Sequence, residues 1–421
     1  MSTEEKKRLV PKLRFPEFFS AGTWDADGLG VVADFVNEKI ALERIALGNY
    51  VSTENILADF GGIDKASKLP TTGSVTRFQS NDTLVSNIRP YLKKVWVADK
   101  EGGASNDVIV IRAKQRLIPQ YLSSLLKNDA FIDYVMTGAK GVKMPRGDLG
   151  TIKAYPAHYP SKPEQQKIAN CLSSLDELIA AQGRKVEALK THKKGLMQQL
   201  FPREGEIQPR LRFPEFLNAG KWVLEPIGDK VELLSGYPFD GPDISQDCTG
   251  VPLLRGINVT EGRVRHNPEI DRYFTGSLDA LEKYKLQLND LVIGMDGSKV
   301  GKNSALITTA DAGALLIQRV ARLRAKSVDL MKFIFQQINS SKFHRYVDKI
   351  NTSSGIPHIS AKQIREFSIA FPSNLEQQRI ADCLTSFDTL IAAATKELET
   401  LKTHKNGLMQ QLFPAVERAE V

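Results

Sequence analysis

Two loops in the first half of the chain, with counterparts in the second, carry the side chains best suited to chemistry. The run from Ser80 to Lys94 reads Ser-Asn-Asp-Thr-Leu-Val-Ser-Asn-Ile-Arg-Pro-Tyr-Leu-Lys-Lys. That from Leu288 to Lys302 reads Leu-Asn-Asp-Leu-Val-Ile-Gly-Met-Asp-Gly-Ser-Lys-Val-Gly-Lys. In each, an Asn-Asp turn leads into a strand pattern and then into a loop bearing two cations. Further on, Gly-Ala-Lys-Gly-Val-Lys-Met-Pro-Arg (138–146) answers Asn-Thr-Ser-Ser-Gly-Ile-Pro-His (351–358). Gly-rich loops with Lys, Arg, Ser and Thr suit phosphate and base-edge contacts, because the backbone approaches closely and donors are many. The competing reading is that these are solvated turns.

Covalent chemistry finds no such support. Gly297-Ser-Lys-Val-Gly-Lys302 resembles a P-loop but is one residue short, and Asn303 follows the lysine where Ser or Thr is needed. The chain has no Gly-x-Gly-x-x-Gly fingerprint, no Asn/Asp-Pro-Pro-aromatic run for amino methylation, and no His/Cys spacing that suits zinc. No convincing nucleophile or acid–base pair stands out, so a binding protein is expected rather than an enzyme. A net charge of +8 and a pI near 9.1 favour a polyanionic partner without establishing one.

What must position these loops is written twice. Residues 160–202 and 372–414 align without a gap, and roughly two thirds of the positions are identical. A shorter echo pairs 11–24 with 209–222. Within the long repeat, Ile168, Leu172, Leu175, Ile179, Gln182, Val186, Leu189, Lys193, Leu196 and Leu200 are spaced alternately by four and three. The second copy gives Ile380, Leu384, Phe387, Ile391, Ala394, Leu398, Leu401, Lys405, Leu408 and Leu412. That is a sustained heptad seam, polar or small at the same two places. Ser161-x-x-Glu164 and Ser373-x-x-Glu376 fit capping boxes, and Phe201-Pro202 and Phe413-Pro414 end the pattern.

Each repeat therefore predicts a rod of roughly 55 Å. Two rods related by duplication bury each other's seams most naturally as an antiparallel pair about a pseudo-twofold axis. The alternative is a plain dimerisation coiled coil. Lys193 and Lys405 in the seam must snorkel, pair with acids, or mark a splay. Cys171 and Cys383, one step off the seam, read as packing thiols, and His192 and His404 as scaffold.

Between the repeats, strand patterns are expected at 83–88, 94–98 and 108–112, then at 251–259, 290–295, 304–307 and 315–323. Helices are expected at 120–136 and 330–348. The fold class is α+β: two globular strand-rich domains joined by two long antiparallel coiled-coil helices. The boundaries are an N-terminal segment (1–24) packing with the C-terminal scaffold, a first module (25–159) and a first helix (160–202). A linker (203–222) repeats the N-terminal segment, and a second module (223–371) precedes the second helix and tail (372–421). No apolar run is long enough for a membrane span and no secretory pattern opens the chain, so a cytoplasmic protein is expected.

The order of variable module, long helix, variable module and repeated helix resembles the specificity (S) subunit of type I restriction–modification enzymes. The carriers are the two Glu-Gln-Gln-x-Ile-Ala-x-Cys-Leu helices and their Leu-Lys-Thr-His-Lys-x-Gly-Leu-Met-Gln-Gln-Leu-Phe-Pro endings. The Leu-Arg-Phe-Pro-Glu-Phe openings and the Leu-Leu-Arg-Gly-Ile-Asn-Val segment (253–259) add to them. The resemblance implies two target-recognition domains, each reading half of a split asymmetric sequence in double-stranded DNA. It implies helices that act as spacer and as docking surface for two modification (methyltransferase) subunits, with restriction subunits in the full complex. S-adenosylmethionine, ATP and Mg are then expected on those partners and no cofactor on this chain. Rods of this length allow two modules to sit about one DNA turn or more apart, a turn being about 34–36 Å.

By loop position the DNA contacts are expected at Asn87, Arg89, Tyr91, Lys93, Lys94, Lys140, Lys143 and Arg146 in the first module. In the second they are Arg255, Asp296, Ser298, Lys299, Lys302, Thr352, Ser353, Ser354 and His358. Lys and Arg suit phosphates and guanine edges, while Asn, Asp and Ser suit other base edges. Two rivals stay open: the specificity subunit of a type IIB-like system, and a coiled-coil adaptor that binds only protein partners.

Overall fold

The computed structural model describes residues 10–351 and 355–414. The described residues form two compact units, one of 10–183 together with 396–414, the other of those between 184 and 395. Two helices of 39 residues each, Lys162–Leu200 and Asn374–Leu412, run from one unit into the other.

In each unit, the first half of one long helix lies antiparallel to the second half of the other. Lys405 Nζ meets Asp176 Oδ1 at 2.5 Å in the first unit, and Gln182 Nε2 donates to Glu397 Oε2 at 2.8 Å. Lys193 Nζ meets Asp388 Oδ1 at 2.6 Å in the second. The two lysine–aspartate pairs occupy the same repeat positions. The seam lysines are therefore paired with acids, and their stems remain half-buried. Every heptad-seam residue named above is buried or partly buried. Cys171 and Cys383 are partly buried free thiols, and His192 packs on Phe387 with ring centroids 5.0 Å apart.

The short repeated segment explains why it was copied along with the helix. Leu13 N donates to Gln411 O in the first unit, and Leu211 N to Gln199 O in the second, so each opening segment lies on the end of a long helix. Arg14 grips Glu164 through Nε and Nη2, both at 2.7 Å, and Arg212 grips Glu376 at 2.8 and 2.6 Å. These glutamates are buried and give both carboxylate oxygens to the arginines rather than to the N-cap amides that the expected capping boxes require; Glu376 N does donate to Ser373 Oγ, at 3.4 Å. Trp24 meets Tyr121 edge-on, and Tyr121 meets Phe413; Trp222, Phe333 and Phe201 repeat the arrangement. Copied opening and copied helix end thus clamp a helix of the variable module into one core.

The modules diverge in sequence yet share a sheet. In the first, Ala33–Val36, Val108–Ala113, Thr83–Ser86 and Val95–Val97 are antiparallel neighbours in that order. Glu232–Ser235, Val320–Arg324, Leu291–Gly294 and Ser304–Leu306 repeat it. A second sheet differs. Its order is Lys39–Ala41, Ser74–Phe78, Gly102–Ala104, Tyr50–Val51 in one module. It is Ile244–Ser245, Tyr273–Phe274, Val251–Leu254, Leu315–Leu316 in the other, which exchanges the last two places by chain order.

Several sequence expectations need correction. The helix expected over 120–136 is two, Pro119–Leu126 and Asp129–Thr137, because Asn128 Oδ1 accepts from Ala130 N and starts a new one. That over 330–348 is likewise Val328–Ile338 and Ser341–Ile350, restarted by Ser340. The apolar run 315–323 serves two sheets and turns at Arg319, whose φ is +68°. The run 251–259 is strand only to Leu254.

Candidate nucleic-acid interface

The Asn-Asp turn is the foundation of each candidate site. Asn81 and Asn289 adopt left-handed φ values of 71° and 68°, which asparagine tolerates better than most residues. The aspartate that follows is buried: Asp82 accepts from Gln79 N and from Arg112 Nε and Nη2, the latter two both at 2.7 Å. Asp290 accepts from Gln287 N and from Arg324 Nε and Nη2, both arginine contacts at 2.6 Å. The carboxylates in turn hold both guanidinium pKa values above their ordinary one. Sequence reasoning missed Arg112 and Arg324 because each ends an apolar strand. The repeated Asn-Asp was the available signal that a buried acid needed a cation.

From this base the strand Thr83–Ser86 or Leu291–Gly294 runs out to the first loop, which binds the second through the backbone. Arg89 N donates to Pro145 O at 2.8 Å, and Gly297 N to Pro357 O at 3.1 Å. Ile88 bridges Arg146, and Asp296 bridges His358. The second loop leads into a capped helix in each case, Asp148 capping Leu149–Ala154 and Ser360 capping Ala361–Glu366. Two loops distant in sequence thus form one surface, built alike in both modules.

The first module brings its expected residues together. Asn87 Oδ1 and Arg89 Nε are buried without a hydrogen-bond partner among the described residues. Lys143 is exposed, and so is Tyr91. Other cations are partly committed: Lys93 to Asp129 (2.8 Å), Lys140 to Asp148 (3.6 Å) and Arg146 to Asp107 (3.1 Å). Lys94 is turned into the module, its Nζ donating to Thr53 O at 2.6 Å, because the residue directly precedes the return strand Val95–Val97.

In the second module Asp296, Ser298, Lys299, Lys302 and His358 share the two joined loops. Lys299 pairs with Glu261 at 3.0 Å and Lys302 with Asp348 at 3.4 Å, while Ser298 and His358 are exposed. Arg255 is not on these loops. It follows the strand Val251–Leu254 of the other sheet and donates to Ile270 O. Thr352, Ser353 and Ser354 lie outside the described residues. A residue not expected is Arg319, whose Nη1 stands 3.1 Å from Asp296 Oδ2. Its apolar neighbours disguised it as strand.

The two modules thus share one framework and carry different side chains at the same loop steps. The chain belongs to the type I restriction modification DNA specificity domain family, whose model matches residues 49–191 and 258–403. It is 26% identical over 327 residues to the specificity subunit of the MjaVIII type I restriction enzyme of Methanocaldococcus jannaschii, across 75% of this chain and 74% of that one. The putative MjaX specificity subunit of the same organism is 23% identical across 97% of this chain and 88% of its own length. The fold matches the S subunit of a type I restriction–modification system from M. genitalium with a TM-score of 0.63 at 16% identity, over 97% of this chain and 100% of that one. A chain from a study of type I complex assembly and conformational transition matches at 0.53 and 16% identity, over 93% and 97%.

Proposed function

We propose that this chain is the non-catalytic subunit that gives a type I restriction–modification complex its DNA sequence specificity. Each module reads one half of a bipartite, asymmetric target in double-stranded DNA. One observation carries the reading: the same pair of joined loops is built twice on a repeated framework, with different side chains at the same steps. Restriction subunits, and adenine methylation with S-adenosylmethionine, belong to partners, as do ATP and Mg. The complex works in the cytoplasm; no described helix is long and apolar enough to cross a membrane.

Docking of two identical modification subunits is supported by apolar residues standing in solvent at matching repeat positions. Leu178 and Leu390, off the seam, are 55% and 52% exposed, and Phe19 and Leu217 are exposed as well. Co-expression with the modification subunit and sequencing of modified bases tests the reading. One bipartite methylated motif is expected, and none would overturn it. A salt titration separates it from a protein-only adaptor, since phosphate contacts make affinity fall steeply with salt. Lys299→Ala with Lys302→Ala should flatten that slope.

A further inference from the structure

In each module the second of the two joined loops also holds a large apolar side chain out in water. Met144 is 51% exposed and Ile356 is 82% exposed. Both directly precede the proline whose carbonyl the facing loop binds, Pro145 and Pro357. Single exposed apolar residues are common and by themselves mean little. These two recur at one step of two modules that otherwise diverge, on backbone pinned by the same hydrogen bond. Around Met144 stand Lys140, Lys143 and Arg146 on its own loop. Ile356 lies two residues before His358, whose backbone pairs with that of Asp296, the partner of Arg319.

We propose, on the DNA-reading function above, that Met144 and Ile356 each read a thymine, by packing on its C5-methyl group in the major groove. The chemistry selects the contact. Basic and polar groups bring the tip to a polyanion, and the thymine methyl is the apolar group that base edges offer there. The minor groove offers none, and an apolar side chain entering it must instead part stacked bases as a wedge. Buried against a methyl group, the side chain also recovers the apolar burial it lacks in the free protein.

The test uses the complex with its modification subunit. Sequencing of modified bases first fixes the motif; absence of any motif refutes the DNA-reading function itself. Duplexes carrying that motif are then made with each thymine replaced in turn by deoxyuridine, which lacks only the methyl. One replacement in each half-site should lower the methylation rate roughly fourfold, the worth of one buried methyl group. Met144→Ala should abolish the thymine–uracil difference in one half-site and Ile356→Ala in the other, while Met144→Leu retains it. Both residues are exposed, so melting temperatures should not move, and a variant that melts early is replaced by Met144→Gln or Ile356→Gln. A half-site without an A·T pair, a motif indifferent to every methyl, or discrimination that survives the alanine variants would each overturn the proposal.

Discussion

Arg319 Nη1 stands 3.1 Å from Asp296 Oδ2 in the second module, and at the step that Arg319 occupies the first module has an acid, Asp107. There Asp107 holds Arg146 at 3.1 Å. The backbone beneath is the same: Asn87 N donates to Asp107 O at 2.8 Å, and Met295 N donates to Arg319 O at 2.9 Å. One framework therefore offers acid at a given step in one module and arginine in the other. Both guanidinium groups are largely exposed, so the pairs contribute little to stability, about 1 kcal/mol at most. What they fix is the direction of a charge.

Replacing Arg319 with alanine should accordingly leave melting nearly unchanged and relax base preference in one half-site. Modified-base sequencing of DNA treated by the complex reads both halves together. Change in both halves would show that the modules do not read independently.

Arg89 is strained for a reason that its counterpart exposes. Its φ of 51° is left-handed, and the same step in the second module is Gly297, at 92°. A non-glycine residue there costs roughly 1–2 kcal/mol. Arg89→Gly should therefore raise stability to urea unfolding by about 1 kcal/mol while weakening DNA binding. Weaker binding with a flatter salt dependence would assign the guanidinium to phosphate; lost base preference would assign it to a base edge. Unchanged binding would remove Arg89 from the interface.

The parts legible in the sequence were those with long periods or repeated signals. The heptad seam gave both long helices, and the Asn-Asp turns located both loop pairs. Helix breaks at Asn128 and Ser340 were lost because apolar spacing continues across them. Arg319 was lost because the two-residue turn Gln318-Arg319 between two strands carries no Gly, Pro, Asn or Asp to mark it. Arg14 and Glu164, 150 residues apart, meet only through the tertiary fold. Lys94 was expected as a contact by its loop position, but it directly precedes a strand and its Nζ donates to Thr53 O.

The Arg14–Glu164 pair is a stability device, and its behaviour follows from burial. Glu164 is 1% exposed, and Arg14 also donates to the carbonyls of Ala21 and Gly22. Removing one partner of a buried pair leaves a charge without compensation and costs about 3–5 kcal/mol. Glu164→Gln should lower urea stability by an amount in that range, and Arg14→Met with Glu164→Met should recover part of it. A loss below about 1 kcal/mol would mean that water reaches the pair. Arg212 and Glu376 should behave alike.

His266 gives a pH-dependent reading of the second module. Its Nε2 lies 2.8 Å from Asp311 Oδ1 and its Nδ1 3.5 Å from Asp271 Oδ1. The hydrogen bond to Asp311 foremost, then the Asp271 charge, raises its pKa above the ordinary 6.5, with partial burial opposing. Because the folded pKa exceeds the unfolded one, the stabilisation is complete below about pH 6.5. It is lost as pH rises through the raised folded value. The proton titration of the His266 ring should thus have its midpoint above 6.5, and Asp311→Asn should lower it. Melting temperature should fall from pH 6 to pH 8 in the parent chain by more than in the variant. Equal pH slopes in the two proteins would show that the imidazole–carboxylate contact is not held in solution.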